Sequence, residues 1–405
     1  MTTIGVLGTR WRADVAPGGT IRPWDGLPEL SWYVAADDRW HRPEEEPSTR
    51  QALVEGTPVV ETRVRIPGGD AIHRAYAIPD HGGLTVVQVE NASSLPIAVA
   101  FAGAPVLSTR PPTEQPIAGI DLPAGAVLFP IGHRATLTVA LAHDGRGPGT
   151  VPAELAPPLQ VARGWTTLVE RASRLVLPDA ALVEGVVRER CALLLAGPAP
   201  LDDDAADPVG LLLGAAEIVR CGGAAEAWVP EVADAVHHLA RLPDAWDVRA
   251  ALAAAGIVLA RAGEDRALGD LARVEARLRA RAGSGSPAVP ADPPAGARRV
   301  AWTERGIATG PELFPAGIPP AWWGQHFEVH HVPTGPRSAV SFAIRWHGER
   351  PAILWEQEGE PVRLRGGAAA PGWSAAEASG DALWPAPGGS TEMMTTAADG
   401  PVSFS

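Results

Sequence analysis

The hydrophobic spacing of the chain changes twice, and these changes limit the folds that are open to it. Up to about residue 160, short apolar or alternating runs recur between turn signals, which is typical of strands. Residues 162–282 instead carry apolar side chains at helical spacing. From Arg298 the alternation typical of strands returns. We therefore predict a multidomain α+β fold with strands at both ends and helices between them.

Glycine-containing turns separate the runs of the N-terminal part. Pro67–Asp70 and Asp80–Gly83 divide three of them, and glycine supplies the positive φ that tight hairpin turns need. Closely spaced strands of this kind are typical of a sandwich. We expect an N-terminal antiparallel β-sandwich over residues 1–160, with strands in Val59–Ile66, Ala71–Ile78, Leu84–Glu90, Ile97–Ala102, Ala126–Pro130 and Ala135–Ala142.

The middle part, residues 161–282, is predicted to be a short α-helical hairpin region. Asp179, Asp207 and Asp244 stand where helix N-caps are expected. The predicted helices lie in Val183–Leu195, Val209–Val219, Ala224–Leu242, Trp246–Ala262 and Ala267–Ala282.

Small residues and prolines fill residues 283–297, which we interpret as a linker. Residues 298–405 are predicted to form a C-terminal β-segment that packs on the sandwich, because its apolar edge would otherwise be exposed. The polar tail after Gly388 is expected to be frayed.

The clearest hairpin of the sequence joins Ser338–His347 to Ala352–Glu356. Its apolar and polar residues alternate, and Gly348–Pro351 is interpreted as a four-residue loop. This register predicts two apolar pairs on one face: Ile353 opposite Trp346, and Trp355 opposite Ile344.

The other face of the hairpin carries Arg345, His347 and Glu356, with Glu356 within reach of Arg345 across the strands. Two interpretations stay open. This face is either a polar, ligand-binding sheet surface, or part of a core hairpin whose Arg345–Glu356 salt bridge is worth about 1 kcal/mol or less.

Composition and charge exclude some classes of protein. A chain of 405 residues exceeds one typical core, so two or three domains are expected. The net charge of −13 argues against a nucleic-acid-binding surface. No signal peptide or long apolar span is evident, so we predict a cytoplasmic protein without a membrane partner. Cys191 and Cys221 fall in helical pattern and are interpreted as reduced core thiols.

Several segments together resemble those of a known family: Val64–Tyr76, Val86–Val99, Val340–Trp346, Leu354–Glu356 and Pro371–Ser374. With the order of a β-sandwich, paired helices and a terminal β-segment, they are similar to the (α/α)-toroid glycoside hydrolases, the six-hairpin glycosidases that include glucoamylase-like and trehalase-like proteins. A toroid needs about twelve helices, and the tract here offers about half of them. The resemblance therefore implies a relative with a truncated helical region.

The resemblance also implies two carboxylates on loops between helices, since glycoside hydrolysis needs an acid and a base or nucleophile. Asp207 and Asp244 are better explained as helix caps, and Asp202–Asp204 as a solvated acidic turn. The catalytic residues are therefore left unknown. The candidates on such loops are Asp202–Asp204, Asp207, Asp244, Asp247 and Glu264–Asp265.

Histidine pairs offer little support for a metal site. His237–His238 and His330–His331 are adjacent residues, which point in different directions on a helix and to opposite faces on a strand. His326, His330 and His347 would converge if their segments pair, but no cysteine or carboxylate spacing supports zinc. We predict no metal and no cofactor.

Trp322 and Trp323 follow two prolines on a loop before a strand. Exposed, they would form a platform for a sugar or a protein partner; buried, they would fasten the linker to the sandwich. The candidate ligand-binding residues are Trp322, Trp323, Arg345, His347 and Glu356.

These features are compatible with three functions. The first is a reduced, non-catalytic relative of the glycoside hydrolases with a carbohydrate-binding or scaffold role. The second is an active glycoside hydrolase that uses a carboxylate pair. The third is a protein-interaction module that uses exposed tryptophans.

Overall fold

The computed structural model describes residues 1–114, 117–152, 154–201, 207–282 and 287–387. The fold is α+β: largely antiparallel sheets form the N-terminal half, helices the middle and strands the C-terminal part, which is the order that the hydrophobic spacing predicts. The expected return to strands at Arg298 is wrong, because residues 297–307 form one more helix before the C-terminal strands begin. Three sequence expectations lie wholly or partly outside the described residues: the acidic turn Asp202–Asp204, the first four residues of the linker (283–286) and the tail from Gly388.

The N-terminal half contains short strands whose buried and exposed residues alternate, as in β4, where every second side chain is buried. The strands are β1 (Thr2–Gly5), β2 (Arg12–Val15), β3 (Ile21–Pro23), β4 (Leu30–Ala35), β5 (Trp40–His41), β6 (Arg50–Leu53), β7 (Val60–Ile66), β8 (Gly69–Ile78), β9 (Leu84–Asn91), β10 (Ile97–Gly103), β11 (Leu107–Ser108), β12 (Val127–Ile131), β13 (Thr136–Ala142) and β14 (Gly149–Thr150).

These strands form two sheets that share one apolar core. The first has the order β1-β2-β3-β4-β10-β12 with β5 beside β4, and the second has the order β14-β11-β13-β9-β8-β7-β6. Val34 and Phe129 of the first sheet lie in the same buried cluster as Val64 and Val139 of the second. The turn between β7 and β8 contains Gly68 at a φ of 75°, which glycine adopts without strain.

The middle of the chain contains α1 (Pro158–Val169), β15 (Arg174–Val176), α2 (Ala180–Ala196), α3 (Pro208–Arg220), α4 (Val229–Leu239), α5 (Trp246–Arg261), α6 (Asp265–Ala282) and α7 (Ala297–Ile307). Asp179 and Asp207 are N-caps, as predicted, because their carboxylates accept the backbone N–H of Leu182 and Gly210. The predicted cap at Asp244 is wrong, since α5 begins two residues later and its cap residue makes no side-chain hydrogen bond.

The C-terminal strands are β16 (Ala308–Thr309), β17 (Glu312–Leu313), β18 (Phe327–Gly335), β19 (Ser338–His347), β20 (Arg350–Gly359), β21 (Leu364–Gly366), β22 (Ala370–Ala375) and β23 (Ser379–Leu383). They form two sheets, β15-β18-β19-β20-β23 and β16-β17-β21-β22. Their apolar core also contains Val186 of α2 and Val300 of α7, so the helices and the C-terminal strands share it.

The hairpin of β19 and β20 has the predicted faces but a different register. Ile344 lies opposite Ile353, and Phe342 lies opposite Trp355. The observed register therefore differs by two residues from the predicted one. The reason is that Arg350 and Pro351 continue the strand, so the loop has two residues instead of four. A shift of two leaves every side chain on its predicted face.

The resemblance to the (α/α)-toroid glycoside hydrolases is wrong. Only seven α-helices occur in the described ranges, and they stand between sheets instead of closing into a ring of helical hairpins. Runs with strand periodicity on both sides of a helical tract are common to many α+β chains. The order of elements therefore does not identify the glycoside hydrolase family.

Candidate functional site

The predicted tryptophan pair is divided between core and surface. Trp322 is 6% exposed and packs against Phe327, with 5.4 Å between the ring centroids. Trp323 is 43% exposed, and its Nε1 donates a hydrogen bond to the carbonyl oxygen of Ile318 over 3.0 Å. A flat platform of two exposed rings is therefore not formed, and the ligand-binding role of this pair stays a prediction.

The polar residues of the hairpin do not converge. Arg345 pairs with Glu328 on β18, and the shift in register places Glu356 opposite Ser341, too far along the strand for the predicted ion pair. His347 is exposed at the end of the hairpin. The role of these residues in ligand binding also stays a prediction.

Asp207 and Asp247 form ion pairs with Arg298 that join α3 and α5 to α7, whereas Asp244 forms a local ion pair at the start of α5. Asp207 accepts two hydrogen bonds from Arg298 of α7 over 2.7 Å each, which lower its pKa, and Asp247 accepts a third over 2.9 Å. Asp244 pairs with Arg249 through bonds of 2.9 and 2.6 Å. These contacts stabilise the packing of the helices.

Four charged side chains form a buried cluster between α2, α3 and α7, which we call the ion cluster: Arg190, Glu217, Arg220 and Glu304. Nε of Arg190 donates to Glu217 over 2.7 Å, and its Nη2 donates to Glu304 over 2.7 Å. Nη1 of Arg220 donates to Glu217 and, over 2.8 Å, to Glu304. Two guanidinium groups thus neutralise two carboxylates.

The segment before β15 completes the ion cluster. Arg190 donates to the carbonyl oxygen and to Oγ of Ser173, both over 2.9 Å, and Oγ of Ser173 donates to Glu304 over 2.6 Å. Nη2 of Arg220 donates to the carbonyl oxygen of Ala172 over 2.9 Å. Buried ions are tolerated when partners of this kind offset their loss of water.

The electrostatics of the ion cluster fix the charge of Glu304. Burial alone would raise the pKa of this carboxyl, but attraction to Arg220 and Arg190 outweighs it and lowers the pKa from 4.5 to about 2. Glu304 is therefore ionised at neutral pH and is not a general acid. Glu304 thus lacks the proton that the general acid of glycoside hydrolysis donates.

None of the four residues of the ion cluster is among the candidate site residues predicted from the sequence. Arg190 and Glu304 are 114 residues apart, so no local pattern connects them. A signal did exist in α3, where Glu217 and Arg220 are the two charged residues of an otherwise apolar helix. Charges in a helix that is buried on most sides need partners from other elements.

A cavity of about 590 Å³ lies beside the ion cluster, between α3, α5, α6, α7 and the turn that joins β18 to β19. Glu217, Arg220 and Glu304 form part of its wall. Small or apolar side chains form much of the rest, including Leu213, Ala250, Ala254, Ile257, Leu268 and Leu271. This volume is in the range of sites for small organic molecules.

Short side chains on α5 create this space. The helix presents alanines to the cavity, and Gly256 lets the turn come close: a Cβ added there would stand 3.2 Å from Cγ of Pro336. The turn therefore rests on α5 at one point, while the alanines beside that point leave an unfilled volume.

One charged group that lines the cavity has no partner among the described residues. Thr334 also lines it, but its Oγ1 has almost no accessible surface and does not face the cavity; this oxygen makes no hydrogen bond with a described residue. The half-buried guanidinium of Arg305 has no ion pair or hydrogen bond in the described part of the chain, and burial, together with the charge of Arg249, lowers its pKa. Arg337, in contrast, pairs with Asp265 and Glu360. Buried polar groups without partners often mark the place of a ligand.

A second cavity of about 480 Å³ lies on the other side of the same turn. Arg171 and Arg261 line it, both with exposed side chains. Nη1 of Arg261 donates to the carbonyl oxygen of Val219 over 2.7 Å, which satisfies the end of α3.

Comparison with protein-family models, curated proteins and solved structures gives no match to this chain. Among the described residues, no group of three His, Cys, Asp or Glu side chains is placed to hold a metal ion. No helix in the described ranges is long and apolar enough to cross a membrane.

We expect Glu304→Gln to lower the free energy of unfolding by about 3–5 kcal/mol, because it leaves two buried guanidinium groups with one carboxylate. Urea denaturation followed by circular dichroism measures this change. Glu349→Gln, in the exposed turn of the hairpin, is the matched control and should change stability by about 0.5 kcal/mol or less. Equal effects of the two substitutions would contradict a stabilising role of the ion cluster.

The ion cluster should also make stability depend on acid pH. Because the folded state lowers the pKa of Glu304 from 4.5 to about 2, its contribution is fully present above pH 4.5 and is lost as the pH falls toward 2. The free energy of unfolding, measured at several pH values in this range, should fall more steeply in the wild type than in Glu304→Gln. The same slope in both proteins would show that Glu304 does not titrate as described.

Proposed function

We propose that this protein binds a small organic molecule in the cavity beside the ion cluster. The observation that carries the proposal is a cavity of about 590 Å³ with largely apolar walls, lined by Arg305, whose guanidinium group makes no ion pair or hydrogen bond with the described residues. Apolar walls with a few converging polar groups are characteristic of ligand sites.

Binding fits the chemistry of the cavity better than acid–base catalysis does. Glu217 and Glu304 are each held by two arginines, and these arginines lower the pKa of Glu304, so this carboxyl carries no proton to donate at neutral pH. The same contacts fix the helices that form the wall, which favours a site that is formed before the ligand arrives. The carbohydrate-binding and protein-interaction roles stay predictions, and no contact described above favours them over this one.

The proposed binding site belongs to the helical and C-terminal regions of the chain and not to residues 1–160. Residues 1–160 would be a β-sandwich unit, which the shared core of its two sheets supports. The cavity is lined by residues of the helical region 161–282 and of the C-terminal segment after the linker. Ligand binding would therefore join these two regions, while the sandwich carries no part of this site.

Partly filling the cavity should weaken binding without loss of the fold. Ala272 of α6 is exposed and lines the cavity, so Ala272→Trp should place an indole ring in its mouth. We expect the affinity for anilinonaphthalene sulfonate, measured by fluorescence titration, to fall about tenfold or more, which corresponds to 1.4 kcal/mol. Ala276→Trp is the matched control, because Ala276 is exposed on the same helix outside the cavity lining. An unchanged titration of Ala272→Trp would contradict this site.

A further inference from the structure

We infer that the ligand of the cavity beside the ion cluster is an uncharged molecule whose main part is a ring or an aliphatic chain. This inference rests on the proposed function and specifies the chemical class of its ligand. Two properties of the cavity carry it: the charged groups of its wall offset one another, and the rest of the wall is mainly small or apolar.

The carboxylates of the wall are already paired with guanidinium groups. The wall contains four carboxylates: Glu217, Glu275, Glu304 and Glu360. Two of them belong to the ion cluster, in which two arginines neutralise them. Glu275 pairs with Arg279 over 3.2 Å, and Glu360 lies 3.6 Å from Nη1 of Arg337. No carboxylate of the described wall is therefore free to be the counter-ion of a cationic ligand.

Two of the three arginines in the wall also have their counter-ions. Arg220 belongs to the neutral ion cluster. Arg337 pairs with Asp265 as well as with Glu360, so this group of three charges has one negative charge in excess.

Arg305 is the third arginine of the wall, and it makes no ion pair or hydrogen bond with the described residues. The carboxylate of Glu275, on the neighbouring helix α6, nevertheless attracts its charge. An anion beside Arg305 would therefore be repelled by Glu275. The excess positive charge of Arg305 equals the excess negative charge at Arg337, so the wall and its ion-pair partners together are neutral.

The remaining wall favours apolar matter. Leu268 and Leu271 of α6 and Ile257 of α5 contribute apolar surface, and the alanines of α5 lie beside them. A ring or an aliphatic chain gains free energy when it leaves water for such a surface. An ionised group would lose its water there and gain no free counter-ion, which makes its binding costly.

Isothermal titration calorimetry with three probes of similar shape tests this inference: naphthalene carboxamide, naphthalene carboxylate and naphthylmethylammonium. The uncharged carboxamide should bind the wild-type protein about tenfold more tightly than either ion, because only the ions pay for the loss of water around a charge. A wall with an uncompensated charge would instead prefer the ion of opposite sign.

Glu275→Gln tests whether the balance of charge in the wall causes this preference. The substitution removes one carboxylate beside Arg305, so the wall becomes positive and the advantage of the carboxamide over the carboxylate should shrink about threefold or more. Only a pair within one helix is lost, so the fold should be retained. Glu349→Gln is the matched control, because Glu349 is exposed outside the cavity lining and its loss should leave the ratio unchanged. An unchanged ratio in Glu275→Gln would overturn the role of the wall charges.

The outcomes distinguish this inference from the proposed function. Equal or tighter binding of either ion to the wild type would overturn the uncharged ligand and leave the cavity as a binding site. N-phenyl-1-naphthylamine, which is anilinonaphthalene sulfonate without its sulfonate group, should bind at least as tightly as the dye; weaker binding would overturn the inference in the same way. Absence of binding by all of these probes, the dye included, would overturn both.

Discussion

The pairing of two buried arginines with two buried glutamates is the interaction on which the helical region depends. Arg190 and Glu217 come from neighbouring helices of the middle part, whereas Glu304 comes from α7, beyond the predicted linker. Each charge would be costly alone in the interior, and the cluster is tolerated because it is neutral and hydrogen-bonded. The helices must therefore pack together in one arrangement, since any other leaves a buried ion unpaired.

The cavity is a consequence of this arrangement. The ion cluster fixes the distance between α3 and α7, and the alanines of α5 are too short to fill the space that remains beside them. The turn between β18 and β19 covers this space and contacts α5 at Gly256. Rigid charged groups on one side and small apolar groups on the other produce a cavity in which Arg305 makes no ion pair or hydrogen bond with the described residues.

Sequence patterns predict the local parts of this structure and fail for the non-local ones. The order of strands and helices and the N-cap at Asp207 follow from periodicity and from the hydrogen bonds of single residues. The faces of the β19–β20 hairpin were predictable, but its register was not, because Pro351 continues the strand instead of closing the loop. Asp244 looks like a cap and instead pairs with Arg249. The ion cluster and the cavity join residues more than a hundred positions apart, which no local pattern records.

The most direct test of this account is a crystal structure of the protein with bound anilinonaphthalene sulfonate. We predict that the dye lies in the cavity beside the ion cluster, with its naphthalene ring against α5 and α6. The ion cluster should be unchanged, because it is already neutral without a ligand. A dye found only outside this cavity, or an ion cluster broken by its binding, would contradict the account.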